Sequence, residues 1–109
     1  MKKIYLAIPY SWNPDYSFKE ANRIAAKLMN EGNLVFSPIS HSHPIADYLP
    51  PELRKDSQFW LKYDLPMIDW ADEVYVIDLG GNLVADSVGV SAEIRYAQQN
   101  NKPIKIIAP

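Results

Sequence analysis

The chain has 109 residues, 48% hydrophobic and 22% charged, the proportions of a globular domain and not of a disordered segment. Eleven Lys and Arg against thirteen Asp and Glu give a net charge of −2, so no basic excess exists to neutralise a phosphate backbone, which argues against a partner that is a nucleic-acid polymer. Cysteine is absent, which removes disulfides, thiolate metal sites and cysteine nucleophiles together.

One domain over residues 1–109 is expected, able to bury roughly 65% of its unfolded surface. Ile4-Tyr5-Leu6-Ala7-Ile8 is a short apolar run of β-formers, read as a strand buried on both faces. It is too short for a secretory core or a membrane span, so no membrane is expected and a cytoplasmic location fits. Pro9 to Pro14 reads as a loop. Phe18, Ala21, Ile24, Ala25 and Leu28 then recur at helical spacing, and Gly32 supplies the stop, predicting a helix from about Asp15 to Glu31. Leu34-Val35-Phe36 is the second strand, closed by Ser37-Pro38. A long loop is expected next, holding Pro38, Pro44, Pro50, Pro51 and both histidines.

From about Asp56 to Ala71 the period is helical again, through Phe59, Trp60, Tyr63, Met67 and Trp70, and Pro66 predicts a kink or two abutting helices. Val74-Tyr75-Val76-Ile77 is the third strand, followed by a flexible stretch with Gly80-Gly81. Ser87 is a good N-cap for a helix to about Asn100, and Ile104 to Ile107 is the fourth strand. Strands alternating with helices define an α/β domain with a parallel sheet and right-handed crossovers. In such sheets ligands sit beyond the carboxyl ends of the strands, where strand order reverses. Pro9 to Trp12, Ser37 to His43 and the segment entering Ser87 should converge there.

Several residues in those segments could carry chemistry. Gly89 permits close backbone approach at a helix N-terminus, where free N–H groups favour an anion. Glu93 shares a helix side with Val90 and Ala97, an unusual place for a carboxylate unless something pairs or uses it. Spacing alone leaves open whether Glu93 is functional or a surface residue paired with Arg95 or Lys105. Asp64 shows the same oddity between Trp60 and Met67, with a helix cap or break at Leu65-Pro66 as the structural alternative. If Asp64 and Glu93 face one cleft, they form the paired carboxylates of glycosidic chemistry. His41 and His43 lack a third ligand at metal-binding spacing, so substrate contact or loop packing is preferred over a metal. Tyr10 and Trp12 offer a stacking surface for a base or simply packing. Gly80-Gly81 lacks the spacing and Lys of a phosphate loop.

Four stretches together resemble the nucleoside 2-deoxyribosyltransferase superfamily, including a branch of small bacterial and phage proteins and the deoxynucleotide N-glycosidases. They are Ile4-Tyr5-Leu6-Ala7 with Pro9-Tyr10; Phe36-Ser37-Pro38-Ile39-Ser40-His41-Ser42-His43-Pro44; Asp64 ahead of Ala71-Asp72-Glu73-Val74; and Ser87-x-Gly89-Val90-x-x-Glu93 with Ala97. The resemblance implies a flavodoxin-like or Rossmann-like three-layer domain, with a parallel sheet of four or five strands in the order 2-1-3-4(-5), and a homodimer or larger homo-oligomer. It implies cleavage of the bond between a sugar C1′ and a nucleobase, with Glu93 as nucleophile, Tyr5 holding it and Asp64 assisting at the sugar or the leaving base. Ser87 stands where N-glycosidases carry a serine for the 5′-phosphate and base-exchanging transferases an aspartate, which favours hydrolysis of a nucleoside 5′-monophosphate. Pro9, Tyr10, Trp12, Ser37, His41, His43 and Gly89 complete the expected substrate contacts, with no cofactor.

Two other classes compete with this reading. One is a non-catalytic module that binds a nucleotide in the same cleft. The other is a flavin carrier, disfavoured because Tyr10-Ser11-Trp12-Asn13-Pro14 lacks the Ser/Thr run that would wrap a flavin phosphate.

Overall fold

Lys3–Ala7 form β1, at the centre of a four-stranded, all-parallel sheet. The computed structural model describes all 109 residues. Leu34–Phe36 (β2), Glu73–Ile77 (β3) and Ile104–Ile107 (β4) complete a sheet in the order β2-β1-β3-β4. Tyr5 lies opposite Phe36 on one side and Val74 on the other. The helices are α1 (Pro14–Asn30), α2 (Pro38–Ala46), α3 (Pro51–Arg54), α4 (Ser57–Trp70), α5 (Leu83–Asp86) and α6 (Val88–Gln99). This is the three-layer, flavodoxin-like arrangement expected, with four strands.

Alternation along the strands divides the core into two halves. Ile4, Leu6, Ile8 and Ile77 pack against Ala21, Ile24, Ala25 and Leu28 of α1. Tyr5, Ala7, Val74 and Val76 point the other way, onto Ile68 of α4 and Val90 and Ala97 of α6. Both faces are covered, which is why the strands read as continuous apolar runs. Fully burying one such aliphatic side chain stabilises by about 1.5–3 kcal/mol. No helix is long and apolar enough to cross a membrane.

Local chemistry sets the element ends. Asn13 caps α1 through its side-chain oxygen, which accepts from the Tyr16 N–H, and Pro14 fills the first helical position. Asp56 caps α4 by accepting from Gln58 and Phe59. Gly80 and Gly81 turn the chain after β3 with φ of 99° and 55°, a left-handed conformation that explains the glycines there.

The segment after β2 departs from the expected long loop. Pro38–Ala46 is helical, because Ser37 accepts from the Ser40 N–H and Pro38 occupies the first position, where its missing N–H costs nothing. Pro51 likewise fills the first position of the short α3, which has no side-chain cap. Pro66 does not divide α4 into two helices: α4 is continuous from Ser57 to Trp70, forgoing one i→i−4 bond.

Candidate active site

Order reversal between β1 and β3 opens a crevice at their carboxyl ends. The chain leaves β1 through Pro9, whose carbonyl accepts from the Ser17 hydroxyl at 2.6 Å and from the Trp12 indole N–H at 3.1 Å. These two bonds pin the first loop over the end of the sheet. With α2, α4 and the start of α6 it encloses a cavity of about 570 Å³, within the range of small-molecule sites. Pro9, Tyr10, Trp12, His43, Asp64, Ser87, Gly89 and Glu93 all line it. The three segments expected to converge do so.

Glu93 is buried, at 6% exposure. The helical period that puts Val90 and Ala97 into the core carries Glu93 onto the same side, one turn from the helix start and facing the cavity. The Tyr5 hydroxyl, reaching up from mid-strand, donates to Glu93 Oε2. Neither Arg95 nor Lys105 pairs with Glu93, and no ion pair of the protein includes it or Asp64. The surface-pair reading of Glu93 is therefore set aside.

Desolvation dominates the electrostatics. Burial pushes the Glu93 carboxyl up to about 8; the Tyr5 hydrogen bond opposes this and the charge of Asp64 adds to it. Burial alone pushes Asp64 up to about 6. The Tyr5 phenol is held well above its usual value by burial, then by the charges of Glu93 and Asp64, so it stays a donor. Two carboxyl groups with separated titrations in one cleft are the arrangement from which acid and base roles are assigned.

Ser87 lies at the mouth of α6, where its Oγ accepts from the Val90 N–H at 3.1 Å. Capping uses the oxygen as acceptor and leaves the hydroxyl proton free to donate into the cavity. A Cβ built on Gly89 would meet nothing within 4 Å, so the space above this helix end is open. Also lining the cavity, the Tyr10 hydroxyl and His43 Nδ1 are 2.5 Å apart, and His43 stacks on Phe18.

Three expected residues do not line the cavity. Tyr5 acts from behind Glu93. Ser37 is buried as the cap of α2, and His41 is exposed beside Phe36. Conversely, Arg54 and Lys55 line it and are its only Lys or Arg side chains; Trp60, Ser42 and Asp86 do so too. The Arg54 Nε and Nη2 donate to the carbonyls of Leu49 and Asp47, which fixes the guanidinium. The signal in the sequence was modest: Arg54-Lys55 is the only basic pair between β2 and α4.

The fold and this cleft define a nucleoside deoxyribosyltransferase-like enzyme. A solved structure of a 2-deoxyribosyltransferase from the psychrotolerant bacterium Bacillus psychrosaccharolyticus superposes with a TM-score of 0.71 at 29% identity, covering 98% of this chain and 72% of the other. The chain belongs to the family described as Domain of unknown function (DUF1937), which matches residues 2–108. No curated protein sequence matches it.

Proposed function

We propose that the protein cleaves the N-glycosidic bond of a (deoxy)nucleoside 5′-monophosphate through a glycosyl ester on Glu93, water being the final acceptor. The observation that carries this reading is the buried, uncompensated Glu93 on the cavity wall, held by a single phenol. Burial disfavours the charged form of this carboxyl and so costs stability, and a part in the chemistry accounts for keeping it there. Similarity to a 2-deoxyribosyltransferase supports the bond that is broken.

In the first step Glu93 Oε attacks C1′, and the bonding pair leaves with the base, which takes up a proton. The Tyr5 hydrogen bond orients the carboxylate and favours its ionised form. Positive charge developing on the sugar is stabilised by both carboxylates. In the second step water attacks C1′, Asp64 accepts its proton, and Glu93 is released as the carboxylate. With its titration near 6, Asp64 is ionised at neutral pH and ready for that role.

The 5′-phosphate is assigned to the Ser87 hydroxyl and the start of α6, with Arg54 and Lys55 supplying positive charge on the cavity wall. Asp86 sets one negative charge nearby, so the basic pair is needed. The test is chromatography of a panel of nucleosides and their 5′-monophosphates after incubation with the protein. Free base from the monophosphates is expected. Thermal stabilisation by a nucleotide with no free base would instead leave a binding module.

A further inference from the structure

The departing base needs a proton, and in the mechanism proposed above Glu93 attacks the sugar while Asp64 takes the proton of water. Tyr10 and His43 line the same cavity and take no part in those two steps. Trp12 lines it too, half exposed and with its indole N–H already taken by the Pro9 carbonyl, so it meets a ligand through its ring and not through a polar atom.

We infer that the Tyr10–His43 pair hands a proton to the leaving nucleobase, Tyr10 as the donor that touches the base and His43 as the group that resupplies it. The inference rests on the glycosidic cleavage proposed above. The Tyr10 hydroxyl lies 2.5 Å from His43 Nδ1, and both side chains line the cavity. His43 is locked by stacking on Phe18, with centroids 4.3 Å apart and planes at 25°. Its Nε2 faces Asp15 Oδ1 at 3.4 Å, where an Nε2–H has an acceptor.

With His43 neutral, Tyr10 donates to Nδ1. With His43 protonated on both nitrogens, Nδ1–H donates to the Tyr10 oxygen, and the phenolic proton turns to the cleft. As the C1′–N bond breaks, its electron pair goes to the base. The base takes the Tyr10 proton, Tyr10 takes the Nδ1 proton, and His43 ends neutral. In the second step Asp64 takes the proton of water and passes it to solvent, and His43 takes one up from solvent, which closes the cycle. Burial keeps Tyr10 protonated across the working range, so the donor is never lost to titration of its own.

The test compares 2′-deoxyguanosine 5′-monophosphate with its 7-methyl derivative, whose base is already cationic and departs neutral without a proton. Tyr10→Phe and His43→Gln should each lower kcat for the first substrate by about 100-fold and for the second by less than about threefold. Glu93→Gln should abolish both. Tyr10→Phe removes only one oxygen from a half-buried ring, so melting temperatures close to the parent are expected. Equal losses on the two substrates with the fold intact overturn the proton relay and leave the cleavage reading standing. If the unmodified protein releases base from neither substrate, the cleavage reading falls and the relay falls with it.

Discussion

Glu93→Gln is expected to stop turnover while making the protein more stable, with a gain that grows with pH. The folded-state carboxyl is held at about 8, against an ordinary glutamate value of 4.5. Below pH 4.5 both folded and unfolded chains hold the proton, and Glu93 imposes no penalty. Between the two values the unfolded chain releases the proton and the folded chain keeps it. Stability then falls by about 1.4 kcal/mol per pH unit, and above 8 the loss is constant. The integrated penalty is under about 1 kcal/mol at pH 5, about 3 at pH 7 and about 5 at pH 8 and beyond. Gln carries no charge, fills nearly the same volume and still accepts from the Tyr5 hydroxyl. Melting the two proteins side by side at pH 5 and pH 8 should show a rise of about 5 °C or less at the first and of about 15 °C or more at the second. Turnover should fall by about 10³-fold or more, on the order of 4 kcal/mol in barrier. A variant that gains nothing at pH 8, with unchanged activity per folded molecule, would show Glu93 to be an ordinary structural carboxylate.

The acidic limb of kcat/KM, which reports the ionisation of Glu93, should move in opposite directions in two variants. Tyr5→Phe removes the bond that lowers the Glu93 pKa and should shift the limb to higher pH; Asp64→Asn removes a charge that raises it and should shift the limb to lower pH, on top of a lower rate. A shift in the same direction in both would sink the assignment. Ser87→Asp keeps a cap for the Val90 N–H but sets a second carboxylate beside Asp86, so monophosphate turnover should fall at least tenfold with stability within about 1 kcal/mol. Equal rates on nucleoside and monophosphate in the parent protein would rule out the phosphate contact. Phe59, Trp60 and Tyr63 form a contiguous aromatic cluster on α4, with Tyr63 54% exposed, and light scattering should give a mass above the 12.4 kDa of one chain.

Periodicity carried most of the fold. Two-sided burial of β1 and β3 wrote itself as unbroken apolar runs, and the apolar spacing of α1 and the Ser87 cap of α6 lay close to where the structure puts them. The segment after β2 was misleading because four prolines suggest irregular chain, whereas Pro38 and Pro51 sit at first helical positions, where proline is favoured. Glu93 and Asp64 stood out as carboxylates among apolar neighbours, a local signal. The Tyr5–Glu93 contact spans 88 residues, and only the family resemblance pointed to it. Arg54 and Lys55 are not legible in the sequence, because nothing in their neighbours distinguishes a cavity-lining basic residue from a solvated one.

Mass spectrometry of acid-quenched protein, taken during turnover of a deoxynucleoside 5′-monophosphate, tests the central claim most directly. The peptide carrying Glu93 should be heavier by one deoxyribose phosphate, and the adduct should be absent in Glu93→Gln. Release of free base with the adduct on another residue, or at an undiminished rate in Glu93→Gln, would contradict the account.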